Sequence, residues 1–441
     1  MRLAPLFPGA SIRELSQRIG GTGILLLVAL PFLTSCGDSA AVGPEPRLVP
    51  PAVTLAPGDS QRFVVAGVPS SGPMGAPVIN FAATGGTITA DGLYTAGTMT
   101  GTFRVIATQQ GGALVDTATV TVALQSLRVL ASRRNLRVGA AVAAAALAAG
   151  GTYAATLSAQ YNSVTPENAM KWANIHPAPS TYNFTDGDAL VSFAQANGMA
   201  IHGHTLVWHT SLPDWLTNGT FTKAQLLAVL KDHITTVVGH YRGEVATWDV
   251  VNEVMGDSHT LRSTIWLNTI GPEYIDSAFA WAHRADPGAK LYLNDYGAES
   301  LSWKADSILS LVQGLRARGI PIDGVGIQSH FTISAPAASS IRASFARFVS
   351  AGFTIRVSEM DVRIADSAGP AALVTQGGIY RDVIDACLVT AGCTGFTTWG
   401  FTDQDSWIPA FYPGYGRALS LDSNYQAKPA FDSLVVRLRR Q

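Results

Sequence analysis

Cysteine is almost missing from this chain. Three occur in 441 residues, too few to staple a small disulfide scaffold and at no spacing that suits zinc. Charge is scarce as well. Only 14% of residues are Asp, Glu, Lys or Arg, and 30 basic against 31 acidic side chains leave a formal charge of −1. Phosphate recognition needs clustered basic surface, so nucleic acid is excluded as a partner. The low charge, together with 47% hydrophobic residues, excludes a solvated acidic tail and describes a chain that buries a large core. No Gly-rich phosphate fingerprint follows the first strand of the long C-terminal part, which counts against a dinucleotide fold. The His residues are scattered singly along the strands, so neither a metal site nor a cofactor is expected.

What is present begins with an address. Arg2, Arg13 and Arg18 accompany an uncharged apolar stretch, residues 19–33, that ends in Leu33-Thr34-Ser35-Cys36-Gly37. Those are the parts of an export signal. Its end resembles the bacterial lipobox, so residues 1–36 are expected to be a lipoprotein signal, with lipidation of Cys36 anchoring the protein in a membrane. Ordinary secretory cleavage and an uncleaved transmembrane anchor are the alternatives. All three send the rest of the chain out of the cytoplasm, to the cell envelope or surface. Residues 37–50, with Gly43-Pro44-Glu45-Pro46 and Pro50-Pro51, read as a tether. Residues 51–125 change to short runs of period two, such as Phe103-Arg104-Val105-Ile106 and Ala118-Thr119-Val120-Thr121-Val122, parted by Gly and Asp turns. That pattern predicts a small all-β sandwich. Its Gly86-Thr87-Ile88-Thr89-Ala90-Asp91-Gly92-Leu93-Tyr94 stretch resembles bacterial immunoglobulin-like repeats of the Big type. It shows no planar aromatic platform for polysaccharide, and a spacer is expected.

Residues 127–441 alternate strands and helices. Eight strands are expected, beginning near Leu136, Tyr161, Ala200, Val245, Lys290, Gly324, Thr354 and Gly395. Between them lie amphipathic helices such as Lys223–His240, with Leu226, Leu227, Val229, Leu230, Ile234, Val237 and Val238 on one side. Eight such units predict an α/β fold of the (β/α)8 TIM-barrel type, whose active site is built at the C-terminal strand ends. Nearly every strand ends in chemically capable side chains: Glu167, Asn168 and Lys171; His204, Trp208 and His209; Asn252 and Glu253; Asn294-Asp295-Tyr296; Gln328 and His330; Glu359 and Asp361; Trp399, Asp403, Asp405 and Trp407.

Glu253 and Glu359, at the ends of strands four and seven, are expected to face each other across the barrel mouth. Glycoside hydrolysis requires such a pair, one carboxyl protonated toward the leaving oxygen and one ionised toward the oxocarbenium-like centre. Asn252 is placed to meet a sugar 2-hydroxyl. His330 and Asp361 are placed to hold and polarise Glu359.

These segments, Asn162-Ser163-Val164-Thr165-Pro166-Glu167-Asn168-Ala169-Met170-Lys171-Trp172, Gly203-His204-Thr205-Leu206-Val207-Trp208-His209, Trp248-Asp249-Val250-Val251-Asn252-Glu253, Gly326-Ile327-Gln328-Ser329-His330, Ser358-Glu359-Met360-Asp361 and Thr398-Trp399-Gly400-Phe401-Thr402-Asp403, resemble the endo-1,4-β-xylanases of glycoside hydrolase family ten, in order and over the whole of residues 127–441. The resemblance implies a retaining double displacement on xylan and xylo-oligosaccharides, with Glu253 as acid/base and Glu359 as nucleophile. It also implies that Glu167, Asn168, Lys171, His204, Trp208, Gln328, Trp399 and Trp407 line the glycone-side subsites. A monomer is expected. Another retaining β-glycanase on the same barrel and a non-catalytic glycan-binding protein are the competing readings; a binding module has no need of both carboxylates. Trp399 and Trp407 offer flat faces to a pyranose or, alternatively, pack under the eighth strand. His209 and Trp172 stay open between sugar contact and support. Cys387 and Cys393 either close a small disulfide loop or are two buried thiols.

Overall fold

The computed structural model describes residues 45–68, 78–111 and 114–440; the residues read as a signal, Cys36 and most of those read as a tether lie outside them. The first strand, Arg47–Val49, falls within the residues read as tether and pairs antiparallel with Val64–Ala66. A four-stranded sheet joins Ala52–Leu55, Leu114–Val122, Gly101–Gln109 and Ile79–Ala83, and a three-stranded sheet joins Ser60–Arg62, Leu93–Thr95 and Thr87–Ile88. Their alternation buries one face: Leu48, Phe63, Tyr94, Val105, Ala107, Val120 and Val122 form a single apolar core. Gly92 turns the chain at φ 82°, and a Cβ there would overlap the Phe63 carbonyl, so the Asp91-Gly92 turn admits glycine alone.

The barrel strands are β1 (Arg137–Val142), β2 (Ser163–Pro166), β3 (Ala200–Val207), β4 (Thr247–Asn252), β5 (Lys290–Asp295), β6 (Gly324–Ile327), β7 (Thr354–Ala365) and β8 (Cys393–Thr398). Each sits where the sequence places a strand. All neighbours pair in parallel, β6 pairs directly with β7, and β8 returns to β1 through Val138 opposite Phe396. The sheet is therefore closed, with helices around it and no free edge.

The helix Lys223–His240 shows how the outer layer is seated. Thr222 caps it, accepting from the Gln225 amide N–H while the Gln225 side chain accepts from the Thr222 N–H, a reciprocal arrangement that satisfies two otherwise orphaned donors. Leu226, Leu230, Ile234, Val237 and Val238 are buried, whereas Leu227 and Val229 are only partly covered. The buried stripe is thus narrower than the sequence pattern suggests, and His233 completes it. Cys387 and Cys393 are joined in a disulfide with Cα atoms 5.2 Å apart, tying the helix Ala371–Val389 to the start of β8. A loop this short contributes about 2 kcal/mol in the chain-entropy account.

Below the mouth the barrel interior is polar. Arg356 is buried and contacts His202 Nδ1 at 2.8 Å and Thr397 Oγ1 at 2.9 Å, and His202 Nε2 lies 2.9 Å from Asp249 Oδ2. Burial, and then the Arg356 charge, push His202 down to about 4. A neutral ring can accept from the guanidinium on one nitrogen and face the carboxylate with the other.

Candidate active site

Strand register brings the site together. Parallel pairing sets His204 beside Asp249, Asn252 beside Asn294, and His330 beside Asp361. Residues remote in sequence thus become lateral neighbours. Glu253 follows β4 directly, and Glu359 lies within β7, so both carboxyls come from the C-terminal part of the barrel.

Glu359 is the more enclosed of the two, its side chain 7% exposed against 16% for Glu253. Asn294 Nδ2 donates to Glu359 Oε1 at 2.5 Å, His330 Nε2 lies 3.2 Å from Oε2, and His204 Nδ1 lies 4.0 Å from Oε1. Burial by itself would raise the carboxyl, but the His330 hydrogen bond and the His204 and His330 charges hold it below the ordinary glutamate value. The other nitrogen of His330 meets Asp361 Oδ2 at 2.9 Å. With a carboxylate at each nitrogen the ring carries both protons. Burial opposes that charge, yet Asp361 and Glu359 hold it well above the ordinary histidine value. The indole N–H of Trp407 donates to the same Asp361 oxygen at 2.9 Å.

Glu253 sits among fewer donors. Gln328 Nε2 donates to Glu253 Oε1 at 3.1 Å, and the side-chain amide of Asn252 lies between those of Gln328 and Asn294, at 3.3 and 2.9 Å. Three buried amides therefore link the two carboxyls. Gly326 on β6 makes room for this chain, since a Cβ there would overlap Asn294 Oδ1. His209 Nε2 lies 3.9 Å from Glu253 Oε2, so His209 borders this carboxyl.

On the other side, Lys171 Nζ donates to Asn168 Oδ1 at 2.9 Å, and Asn168 reaches back to Glu167 Oε1 at 3.4 Å. Lys171 is buried, its ammonium 5.1 Å from the Trp208 ring centroid and 5.7 Å from that of Trp399. Burial lowers its affinity for the proton, opposed by the charges of Glu359, Glu167 and Glu253. Burial raises Glu167, with Lys171 pulling it back down. Trp399 is 6% exposed and meets His204 edge-on at 5.0 Å and His330 at 6.4 Å. It packs, but among site residues.

Two strand-end residues belong elsewhere. Trp172 is buried, stacked on His233 at 3.5 Å, with its indole bonded to the Leu206 carbonyl, so it supports β3. Asp403 pairs with buried Lys428 at 2.7 Å and accepts from the Leu419 N–H at 2.9 Å, which fixes the loop after β8.

Asn294 and Asp249 are the functional neighbours that the sequence reading did not select. Asn294 was visible at the end of β5, but its contact with Glu359 depends on register. Asp249 lies inside β4, where alternation alone gives no reason to single it out. It accepts from His204 at 2.9 Å; burial would raise it, but His202 and His204 hold it below the usual carboxylate range. Among the described residues no three His, Cys, Asp or Glu side chains group as a metal site, and no helix is long and apolar enough to cross a membrane.

Residues 126–437 match the family profile described as glycosyl hydrolase family 10. Endo-1,4-beta-xylanase B of Thermotoga neapolitana is 42% identical over 309 residues, covering 69% of this chain and 89% of that protein. Endo-1,4-beta-xylanase D of Talaromyces funiculosus is 40% identical over 283 residues, 64% of this chain and 70% of that one. Among solved structures, native xylanase 10B from Thermotoga maritima superposes with a TM-score of 0.70 at 42% identity, covering 71% of this chain and 98% of its own. A xylanase from Bispora sp. bound to xylobiose gives 0.69 at 31% identity, covering 71% and 100%.

Proposed function

The chain belongs to glycosyl hydrolase family 10, and from that membership we propose that Glu359 is the nucleophile and Glu253 the acid and base that cleave β-1,4-xylosidic bonds. The protein is an endo-1,4-β-xylanase that acts on xylan with retention of configuration. The observation that carries the assignment of roles is the asymmetry of the two carboxyls. Glu359 has His330, backed by Asp361, holding its charge, as an attacking carboxylate needs. Glu253 meets Gln328 and stays more open, as a group that gives and takes a proton needs. Attack by Glu359 on the anomeric carbon forms a glycosyl-enzyme while Glu253 protonates the departing oxygen. Water, giving a proton to Glu253, then attacks the anomeric carbon and breaks its bond to Glu359, which frees the sugar and restores the Glu359 carboxylate.

Glu167, Asn168 and Lys171 supply acceptors and donors for sugar hydroxyls on the glycone side, with Trp208, Trp399, His204 and Asn252 around the reacting ring. Trp407 closes that side. A glucose ring adds a hydroxymethyl group, which must displace the indole or bury an unpaired hydroxyl, at a cost of about 1–3 kcal/mol. Reducing-sugar release tests this directly: kcat/KM on xylan should exceed that on carboxymethylcellulose by about tenfold to a few hundredfold. Trp407→Ala should narrow the ratio. Equal rates for the wild type would favour a broader β-glycanase.

Residues 1–36 are read as a lipoprotein signal and Cys36 as the lipidated residue that holds the enzyme at the envelope. The domain of three small sheets is read as an immunoglobulin-like spacer, and the protein as a monomer. Cys36→Ser should move the protein from the membrane fraction to the soluble one; unchanged retention would favour an uncleaved helix.

A further inference from the structure

Glu253 holds an unusual backbone conformation, and the structure shows what faces it. Its φ of 56° lies in the left-handed region that a side chain of this kind rarely adopts, and such conformations persist only where their surroundings impose them. On one side the Glu253 N–H donates to the Asn294 carbonyl on β5 at 2.8 Å. On the other, Arg262 Nε donates to the Glu253 carbonyl at 2.9 Å. The same guanidinium donates through Nη2 to the Met255 carbonyl at 3.3 Å and to the Tyr296 hydroxyl at 2.7 Å. Tyr296 is itself fixed, its hydroxyl bonded to Asp257 at 2.8 Å and its ring covered by Lys304 Nζ at 3.1 Å. The Met255 N–H completes the frame by donating to buried Asp295 at 3.0 Å.

We infer that Arg262 is a positioning residue for the acid, its planar guanidinium locking the Glu253 peptide so that the carboxyl is aimed at the leaving oxygen. This rests on the reading of Glu253 as acid and base. The geometry suits arginine because three acceptors, at residues 253, 255 and 296, are served by one rigid fork; a lysine ammonium on a flexible stem cannot reproduce that spread. Proton transfer tolerates little misplacement, and a shift of about 1 Å in a reacting group can cost about a hundredfold.

The test compares Arg262→Met, Arg262→Lys and Glu253→Ala with the wild type on two aryl β-xylobiosides, phenyl and 2,4-dinitrophenyl. The phenolate leaves poorly and needs the acid; the dinitrophenolate leaves without it. Arg262→Met should lose about a hundredfold in kcat/KM on the phenyl glycoside, mainly in kcat, and less than about threefold on the dinitrophenyl glycoside. Arg262→Lys should fall between Met and wild type. Azide should raise kcat of the Met variant on the dinitrophenyl glycoside and give the β-azide, because the misplaced base no longer activates water. Equal losses on both glycosides would mean general damage to the fold and overturn the inference. Should the Met variant not fold, Arg262→Lys carries the same comparison, with equal losses again decisive against it. A Glu253→Ala enzyme with no dependence on the leaving group would instead overturn the acid reading, and the inference with it; a dependence in Glu253→Ala but in neither Arg262 variant would sink the inference alone.

Discussion

Glu359→Ala should lose about four or more orders of magnitude in rate on xylan, because no glycosyl-enzyme can then form. Azide should restore turnover on the dinitrophenyl glycoside by attacking the vacated face, and the product should be the α-azide. A β-azide would show that another group is the nucleophile. The surroundings of Glu359 add a pH consequence. Its carboxyl is held below the ordinary value by the His330 hydrogen bond and by the His204 and His330 charges acting against burial, so it stays ionised as the pH falls, and the acid limb of kcat/KM should lie on the low side of the usual glutamate range. Replacing His330 with Asn removes a positive charge 3.2 Å from the carboxylate. The Glu359 proton then binds more tightly and the acid limb should move to higher pH. A limb that stays in place would show that His330 carries no charge in the working enzyme.

The second large effect is expected from Glu253→Ala. On xylan, whose leaving group is a sugar alkoxide, loss of the general acid should cost about two to four orders of magnitude. On the dinitrophenyl glycoside kcat/KM should change little. Equal losses on xylan and on the dinitrophenyl glycoside would count against an acid role for Glu253.

The barrel was legible because each strand is a short apolar run that finishes in polar side chains, and such residues cannot be spent on the core. The same logic singled out Glu253, Glu359, His330 and Asp361, since the ends of the strands converge on one mouth. What sequence could not supply was lateral register. Asn294 touches Glu359, and Gln328 touches Glu253 rather than only sugar, because of how β4, β5, β6 and β7 slide against one another. Arg356, His202 and Asp249 form a buried polar layer whose members are scattered over three strands and look like isolated polar residues in apolar runs. Arg262 was missed for a different reason: it stands in the loop after β4, beyond the strand ends where chemistry was sought.

The closed ring of strands also bears on when the protein becomes an enzyme. β1 has one neighbour in β2 and the other in β8, and the β8 contact joins Val138 to Phe396, segments made near the beginning and the end of the barrel's synthesis. Contacts of such long separation form late, because the loop between them must be closed first. Both carboxylates are already translated by residue 359, yet the ring cannot seal, and Trp399 and Trp407 cannot take their places, until the eighth strand arrives. A nascent chain therefore carries both carboxylates for about 40 residues of synthesis, from residue 359 to the end of β8 at residue 398, without a site to use them in, and hydrolytic activity should switch on in a single late step rather than accumulate with length.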